Sequence, residues 1–223
     1  MKQRSTMRAS DRAYRTLLEE IQHGILPPGA VLAEVEQSTR LGVSRTPLRE
    51  AIGRLVADGL VVQQSPRVTV VSAIDAEDIR QLFEVRHGLE ATAARLAARR
   101  GPAAAFDGLA QRFDSIDTAA DADEYYDLIA RFDAAVDNAA ANSYLTSALR
   151  TVRTHLMRVR RLARDKPERL AASAREHHLI AATIAAGDGD MAAHATHVHL
   201  HNALMSILAS LDDGRSRRVE GAS

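Results

Sequence analysis

The stretch that most constrains the fold is Leu41–Leu60, LGVSRTPLREAIGRLVADGL, because it has the pattern of a tight turn followed by a two-faced helix. Gly42 can supply the positive φ angle that ends a preceding helix. Pro47 lies in the first turn of the next helix, where its missing N–H costs nothing. Apolar residues at helical spacing then predict one buried side, formed by Leu48, Ala51, Ile52, Leu55 and Val56.

Two arginines mark the start of this predicted helix. Arg45 and Arg49 are four residues apart, so they project from one face about a turn apart. A helix that is anchored along one side and carries guanidinium groups at its start is suited to enter a DNA major groove as a recognition helix. The alternative is a solvated face, since exposed arginines are common and surface ion pairs contribute little.

The residues on either side predict a winged helix-turn-helix over residues 1–72. Short helices precede the stretch, and Ala30–Leu32 is a candidate for a very short strand. After Gly59 the pattern changes to two β-prone segments joined by a polar turn, which predicts a β-hairpin, the wing. Arg67 is placed to contribute a cation from this hairpin to DNA.

From Asp75 onward the sequence predicts helix almost throughout, in long segments with short connections. Such segments pack as an antiparallel bundle, and we assign residues 75–212 to it. The last helix is expected to end near Leu211, and the polar tail 213–223 is expected to be disordered. The predicted fold is therefore mainly α, an N-terminal winged helix-turn-helix followed by an all-α bundle.

Composition narrows the possible functions. The chain has no cysteine, which excludes disulfides, thiolate zinc sites and cysteine nucleophiles. No apolar run reaches membrane-spanning length and the N-terminus lacks the apolar core of a signal peptide, so we expect a cytoplasmic protein without a membrane partner. Residues 1–72 carry ten Lys and Arg against seven Asp and Glu, and the rest carries nineteen against twenty-two. A basic first module is compatible with phosphate contact at that end.

Residues 11–71 resemble the DNA-binding domain of the GntR family of bacterial transcription regulators. The segments that carry the resemblance are ILPPGAVL, LGVSRTPLREAI, RLVADGLV and the hairpin. The resemblance implies that Arg45 and Arg49 read or grip double-stranded operator DNA. It also implies a set of residues near the DNA backbone: Ser44, Thr46 and Pro47.

The sequence departs from this family's pattern at two places. Family members often carry arginine at the position of Val35, so one expected base or phosphate contact is missing. They also often carry glycine at the wing tip, where this chain has Ser65-Pro66. The second departure bears on how the wing approaches the minor groove.

Residues 75–210 resemble the all-helical effector domain, called FCD, of the FadR-type branch of the same family. The matching segments are EVRHGLEATAARLAA, RFDAAVDNAAANSYL and EHHLIAATIAAGDGDMAAHATHVHL. In many relatives an acid and a histidine four residues apart join two later histidines around a divalent metal. The first pair maps onto Ile129 and Asp133, and the later two map onto His177 and His199.

Asp133, His177 and His199 form a set of two histidines and one carboxylate. Such a set suits Zn, Ni, Mn or Fe and leaves open positions, which the carboxylate of an effector can fill. In the alternative interpretation, both histidines are polar residues that line a cavity and are satisfied by hydrogen bonds to Asp133 and water.

The resemblance also implies that Arg86 faces the cavity and pairs with an effector carboxylate, as a guanidinium can do bidentately. The alternative is an intrahelical pair with Glu90, four residues on, which can also orient Arg86. A further set, His194, His197 and His201, shares a face of the last helix. We expect that face to meet solvent or a dimer partner rather than a metal.

Three functions follow from these patterns. The first is a ligand-responsive transcription regulator, expected to be a repressor, that binds a palindromic operator as a homodimer. The second is a metal-dependent enzyme built on the bundle with Asp133, His177 and His199 as ligands, although the sequence supplies no convincing nucleophile or general base beside them. The third is an architectural DNA-binding dimer with an empty bundle.

Overall fold

A computed structural model describes residues 7–65, 68–160 and 167–220, with side chains for 7–65, 68–159 and 167–212. The chain divides into two compact units. One comprises Met1–Asp75 with Thr154–Arg158, and the other comprises Ala76–Arg153 with Val159–Ser223.

Within the described residues the chain forms nine helices and one two-stranded hairpin. The first part of the chain contains α1 (Ala9–Gln22), α2 (Glu34–Leu41), α3 (Arg45–Ala57), β1 (Val61–Ser65) and β2 (Val68–Val71). The second part contains α4 (Ala76–Arg100), α5 (Ala103–Ser115), α6 (Ala122–Ala140), α7 (Ser143–Arg160), α8 (Pro167–Ala185) and α9 (Gly189–Glu220). The predicted fold class, a winged helix-turn-helix with a helical bundle, is confirmed.

The core of the first unit lies where α1 packs on α3. The apolar stripe of α3 is buried as predicted at Leu48, Ala51, Ile52 and Leu55, and it meets Leu17 and Ile21 of α1. The prediction is wrong for Val56, which is 41% exposed. Each helical residue turns about 100° from the one before, so Val56 lies beyond Ile52, which forms that edge of the stripe.

The turn between α2 and α3 depends on Gly42. Its φ is 63°, in the left-handed region that favours glycine. The N–H of Gly42 donates to the carbonyl of Thr39 at 3.3 Å, and that of Val43 donates to the carbonyl of Ser38 at 3.1 Å. These two bonds satisfy carbonyls at the end of α2, so the predicted role of Gly42 is confirmed.

The predicted hairpin is present. β1 and β2 are antiparallel, Val61 pairs with Val71, and the register shifts between Gln63 and Ser65, which marks a bulge. Val31 forms a β-bridge with Val70, so the candidate strand at 30–32 joins the wing as a single pair. Arg67, predicted to bring a cation to DNA, lies outside the described residues.

In the second unit α4 packs against α9 and α6, while α5 packs against α8. The connection between α8 and α9 spans only residues 186–188, so these two packed helices run antiparallel. Aromatic rings fill the centre. Phe113 lies edge-on to Phe132 and Tyr125, with ring centroids 5.8 and 6.4 Å apart. All three rings are buried.

The backbone of α9 continues to Glu220, past the end that the sequence predicts near Leu211. The segment 213–220, predicted to be disordered, therefore carries helical backbone. Extending an existing helix costs much less than nucleating one, so a polar sequence can follow a helix already formed. None of the helices in the described part of the chain has the length and apolar character needed to span a membrane.

Candidate functional site

The start of α3 presents a polar face. Ser44, Arg45, Thr46 and Arg49 are exposed there, while Leu48 is fully buried and anchors the helix. Pro47 is half-buried in the first turn. The structure therefore brings the predicted DNA-contact residues of this helix to one accessible end.

Arg49 is held by a residue that the sequence reasoning missed. Its Nε donates to both carboxylate oxygens of Glu34, at 3.0 and 2.9 Å. Glu34 is the first residue of α2, so the contact joins the two helices of the helix-turn-helix. No hydrogen bond within the described residues uses the terminal Nη atoms of Arg49. No periodicity links residues 34 and 49, so the sequence carries no signal for the pair.

The third arginine of α3 has a different environment. Arg54 pairs with Asp11 of α1 at 2.9 Å and its guanidinium lies 3.9 Å from the centre of the Tyr14 ring. Tyr14 in turn donates to Asp58 at 2.6 Å. Partial burial and the bond to Asp58 raise the pKa of Tyr14 to about 12. This cluster links α3 to α1, with the side chains of Arg54 and Asp11 still 48% and 41% exposed.

A cavity lies inside the second unit. The empty space there is about 440 Å³, a figure that includes open solvent. Its lining includes all four residues predicted to bind an effector, which are Arg86, Asp133, His177 and His199. The other lining residues are Glu90, Ala93, Ala94, Phe132, Val136, Arg153, Ile180 and Thr196.

Arg86 lies almost fully inside the protein, with 3% of its side chain exposed. Its Nε donates to Glu90 at 2.7 Å and its Nη2 donates to the other carboxylate oxygen at 3.3 Å. Its guanidinium also lies 4.4 Å from the Phe83 ring centre. The intrahelical pair and the cavity position are thus both present, and Glu90 orients a guanidinium that lines the cavity.

His177 is fixed by its neighbours. Its Nδ1 lies 2.8 Å from the carbonyl oxygen of Ser173. A carbonyl oxygen can only accept, so Nδ1 carries the proton. The imidazole stacks on Phe113 with centroids 5.0 Å apart and meets Phe132 edge-on at 5.7 Å. The ring therefore has one orientation and one tautomer.

His199 is fixed by a carboxylate. Its Nδ1 lies 2.7 Å from Glu176, which also accepts from Arg169 at 2.7 Å and from Asn202 at 2.8 Å. Burial opposes the charge of Glu176, but the hydrogen bonds from these three partners lower its pKa to about 2. Burial also lowers the pKa of His199, against the opposing effect of Glu176.

The network around Glu176 was not predicted. Glu176 directly precedes His177 in the sequence, and an acid in an alanine-rich helix is a weak signal. Its bond to His199 spans 23 residues and two helices, and no spacing rule connects them. Arg169 and Asn202 carry no distinguishing signal either.

Arg153 is the second arginine of the cavity, and it was also not predicted. Its Nε lies 3.5 Å from Asp133, and its Nη1 donates to Asp137 at 2.6 Å. Arg153 is one of several arginines on α7, so nothing in the sequence singles it out. The structure adds it to the charged groups of the cavity and gives Asp133 a cationic partner.

The predicted metal set fits only in part. Both histidines bond through Nδ1 to an oxygen acceptor, as metal-binding histidines usually do. Asp133, however, is paired with Arg153, and the position of the family's other acid is Ile129, which is 3% exposed. Among the side chains that the structure describes, no three His, Asp or Glu residues lie together as a group that could hold a metal ion. Asp133, His177 and His199 thus line one cavity, and metal binding by them stays a prediction.

The other histidine set lies on the outside of α9. His194, His197 and His201 are all exposed, and the ring of His197 lies 4.9 Å from that of His87. This position agrees with the expectation that the face meets solvent or a partner. His178, by contrast, is partly buried and bonds through Nδ1 to the carbonyl of Ala110 at 3.0 Å.

Two protein-family profiles match the chain. The profile described as "Bacterial regulatory proteins, gntR family" matches residues 9–71. The profile described as "FCD domain" matches residues 81–202, which is more than half of the chain. Together they cover α3 and all the helices that line the cavity.

The curated relatives are described as transcriptional regulators or repressors. A probable D-xylose utilization operon transcriptional repressor of Paenarthrobacter nicotinovorans is 30% identical over 88% of this chain and 87% of its own length. An uncharacterized HTH-type transcriptional regulator of Agrobacterium vitis is 41% identical over 38% of this chain. The transcriptional repressor RspR of Escherichia coli is 36% identical over 42% of this chain. The matches to the last two span only 50% and 41% of those relatives.

Solved structures share the fold. McbR/YncC of E. coli superimposes with a TM-score of 0.75 at 19% identity, covering 92% of this chain and 100% of that one. A GntR-type regulator of Rhodococcus sp. RHA1 gives a TM-score of 0.69 at 24% identity, covering 90% and 97%. At such identities the likeness concerns the fold alone.

Proposed function

The chain belongs to the GntR family of bacterial transcription regulators, in the branch with an FCD domain, and from that premise we propose that it is a ligand-responsive repressor. In this proposal the first unit binds operator DNA, and the cavity of the second unit binds a small carboxylate metabolite. The observation that carries the effector half is the convergence of Arg86, Asp133, His177 and His199 on one cavity.

The exposed start of α3 supports the DNA half. Arg45 and Arg49 lie on the solvent side of a helix whose other side is buried. The N-terminal residues of such a helix contact base edges in the major groove, and a guanidinium can bond bidentately to guanine. Glu34 holds Arg49 by Nε, which leaves the geometry of its two Nη atoms suited to that contact.

The buried guanidinium of Arg86 supports an anionic effector. The lining carries two guanidinium groups, of Arg86 and Arg153, and two carboxylates, of Glu90 and Asp133, and Arg86 is buried. A guanidinium in a partly dry pocket binds a carboxylate strongly because both bonds are charge-assisted. The Nη1 atom of Arg86 makes no hydrogen bond within the described residues, since Glu90 engages Nε and Nη2.

The same arginines weigh against a metal as the main binding group. Arg153 already neutralises Asp133, the one carboxylate of the predicted metal set. If a divalent metal such as Zn, Ni or Mn binds, His177 and His199 would hold it, and it would supply open positions for the effector carboxylate. We therefore propose that Arg86 binds the carboxylate directly. The experiment below also tests binding through a metal.

A homodimer completes the proposal. Regulators with a helix-turn-helix bind palindromic sites by placing two recognition helices about one turn of DNA apart. A two-fold dimer of this chain would match such an operator. The metal-dependent enzyme has less support, because the family and the relatives are DNA-binding regulators rather than enzymes.

Calorimetric titration of the chelator-treated protein with small carboxylic acids tests the effector half. We expect at least one acid to bind the wild type, and Arg86→Lys to weaken that binding because lysine keeps the charge but loses the bidentate geometry. Arg95→Lys is the matched control, since Arg95 lies on the same helix but pairs with Asp190 outside the cavity. Equal affinities in wild type and Arg86→Lys would refute the assignment. Binding that appears only after Zn, Ni or Mn is restored would support the metal instead.

A further inference from the structure

We propose that the outward face of α9 is the surface through which two copies of this chain pair, with their α9 helices antiparallel about a two-fold axis at Val198. This inference rests on the homodimer of the proposed function, and it adds the surface, the register and the direction of the pairing. The surface is a stripe along the helix, which we call the α9 stripe, formed by Met191, His194, Val198, His201 and Met205.

The α9 stripe is open in a single chain. Met191, Val198 and Met205 are 51%, 58% and 55% exposed, and the two histidines between them are exposed as well. The opposite side of the helix is buried, with Leu200 at 0% and Ile207 at 3% exposure. One apolar side of α9 therefore lies in the core of the second unit, and another apolar side faces outward.

The charge pattern of α9 distinguishes the stripe from an ordinary solvated face. No residue from 191 to 211 is Asp, Glu, Lys or Arg. The outer face of a surface helix normally carries charged residues, whereas the centre of a protein interface is depleted of them and enriched in methionine. Charges return at the two ends, at Asp190, which accepts from Arg95 at 2.9 Å, and at Asp212. An uncharged centre between charged ends is the pattern of an interface.

The spacing of the α9 stripe fits the packing of one helix on another. Its members follow one another at intervals of three and four residues, like the a and d positions of a heptad repeat. Side chains at this spacing can insert between those of a facing helix. From Met191 to Met205 the stripe extends over about 21 Å, close to four helical turns. The occupant is therefore a helix of similar length with an uncharged face of its own.

The order of the residues selects a second copy of α9 as that helix. In both directions from Val198 the stripe continues with histidine and then methionine. An antiparallel partner about an axis at Val198 therefore places Met191 beside the partner's Met205. By the same symmetry, His194 lies beside the partner's His201. A two-fold interface requires a self-complementary surface of this kind, and antiparallel helices also place opposite dipole ends side by side.

The histidines are compatible with this pairing. A neutral imidazole has one donor and one acceptor nitrogen, so two facing rings can satisfy each other. The exposed His197 lies beside the stripe, and its ring is 4.9 Å from that of His87 on α4. Val85 lies two residues before His87, so it is turned about 200° away from α9. Val85 is 53% exposed and provides a control position outside the stripe.

Cysteine cross-linking of the full chain tests the surface and the direction together, because the chain has no cysteine of its own. Val198→Cys should link to its own copy through a short bismaleimide, since this position lies on the axis. Co-expressed Met191→Cys and Met205→Cys should link to each other. Neither should link efficiently when expressed alone, because the antiparallel pairing separates the two copies of each position by about 21 Å. Efficient self-linking of Met191→Cys would show parallel helices and overturn the proposed register.

Val198→Glu tests the same surface by disruption. It places two carboxylates next to each other on the axis, and like charges that face each other across an interface strongly oppose association. We expect the dimer dissociation constant, measured by analytical ultracentrifugation, to rise by about 100-fold or more. Val85→Glu makes the same substitution at a similarly exposed position and should leave the constant unchanged. A dissociation constant of Val198→Glu equal to that of the wild type would overturn the inference.

The assembly state of the wild type separates this inference from the proposed function. A dimeric wild type combined with a Val198→Cys variant that does not cross-link would overturn the α9 surface and leave the homodimer standing. A monomeric wild type would overturn the homodimer itself, and this inference with it. Carboxylate binding is measured by calorimetry on its own, so neither result decides that part of the proposed function.

Discussion

At the scale of single residues, we expect the contact between Glu34 and Arg49 to have a directional rather than a stabilising role. The two side chains are 40% and 65% exposed, and ion pairs so open to solvent contribute little to stability. We expect the pair to fix the plane of the Arg49 guanidinium at the exposed start of α3. Base recognition by arginine depends on that plane, because two parallel hydrogen bonds must form at once.

Replacing Arg49 by alanine should weaken binding to a preferred duplex by roughly 1–3 kcal/mol, the usual value of one bidentate base contact. Fluorescence anisotropy with a duplex selected from a random-sequence library measures the change. Arg54→Ala is the control, because Arg54 lies on the same helix but pairs with Asp11. An Arg49→Ala loss no larger than that of Arg54→Ala would contradict the role of Arg49.

Glu34→Gln distinguishes two roles for the acid. If Glu34 orients the Arg49 guanidinium, Glu34→Gln should bind the selected duplex more weakly than the wild type does. The salt dependence should stay unchanged, since that slope reports the number of phosphates neutralised. If Glu34 merely repels phosphate, removal of its charge should strengthen binding instead. Anisotropy titrations over a range of salt concentrations separate the two outcomes.

At the scale of elements, the helix-turn-helix depends on its turn. A Cβ added at Gly42 would meet no atom within 4 Å, so alanine at this position costs only the strain of a φ of 63°. Left-handed backbone costs an L-residue roughly 1–2 kcal/mol. We expect Gly42→Ala to lower the unfolding free energy of the DNA-binding unit by about that amount in a urea titration.

Gly53, in the interior of α3, is a position where alanine should stabilise rather than destabilise the protein. It is also surrounded by open space, but it lies inside α3 without a positive φ. Alanine there should raise stability by roughly 0.5–1 kcal/mol, because glycine in a helix interior carries an entropic cost. A Gly42→Ala variant as stable as Gly53→Ala would show that the turn does not require glycine.

The packing of α1 on α3 should respond to alkaline pH through Tyr14. Its pKa is raised from 10.0 to about 12, so the stability that this phenol contributes is complete below pH 10 and lost as pH rises through 12. Tyr14→Phe should lower stability at neutral pH by about 1 kcal/mol, since the bond to Asp58 is lost. In an absorbance titration, Tyr14→Phe should show one tyrosine fewer ionising near pH 12 than the wild type. Ionisation of Tyr14 near pH 10 would contradict this account.

The elements were predictable from the sequence where local rules govern them. Helical spacing, Gly42 and the β-prone hairpin segments identified the recognition helix, its turn and the wing. The contacts that the sequence did not predict share a physical cause. The Glu34–Arg49, Asp133–Arg153 and Glu176–His199 contacts each join different helices, and no periodicity within one helix encodes them.

At the scale of the whole molecule, an effector can change DNA binding only by favouring one arrangement of the protein over another. The coupling is reciprocal, so operator DNA must change effector affinity by the same factor as effector changes DNA affinity. In a homodimer both recognition helices are subject to this coupling at once. We expect the selected duplex to be palindromic, with half-sites about one turn of DNA apart.

The central claim is that a ligand in the Arg86 cavity controls DNA binding, and a coupled titration tests it most directly. The affinity for the selected duplex is measured by anisotropy with and without the tightest-binding acid, in wild type and in Arg86→Lys. The account predicts that saturating acid weakens duplex binding of the wild type by about 5-fold or more and leaves Arg86→Lys unchanged at the same acid concentration. Duplex affinity that stays the same while calorimetry shows the acid bound to the wild type would contradict it.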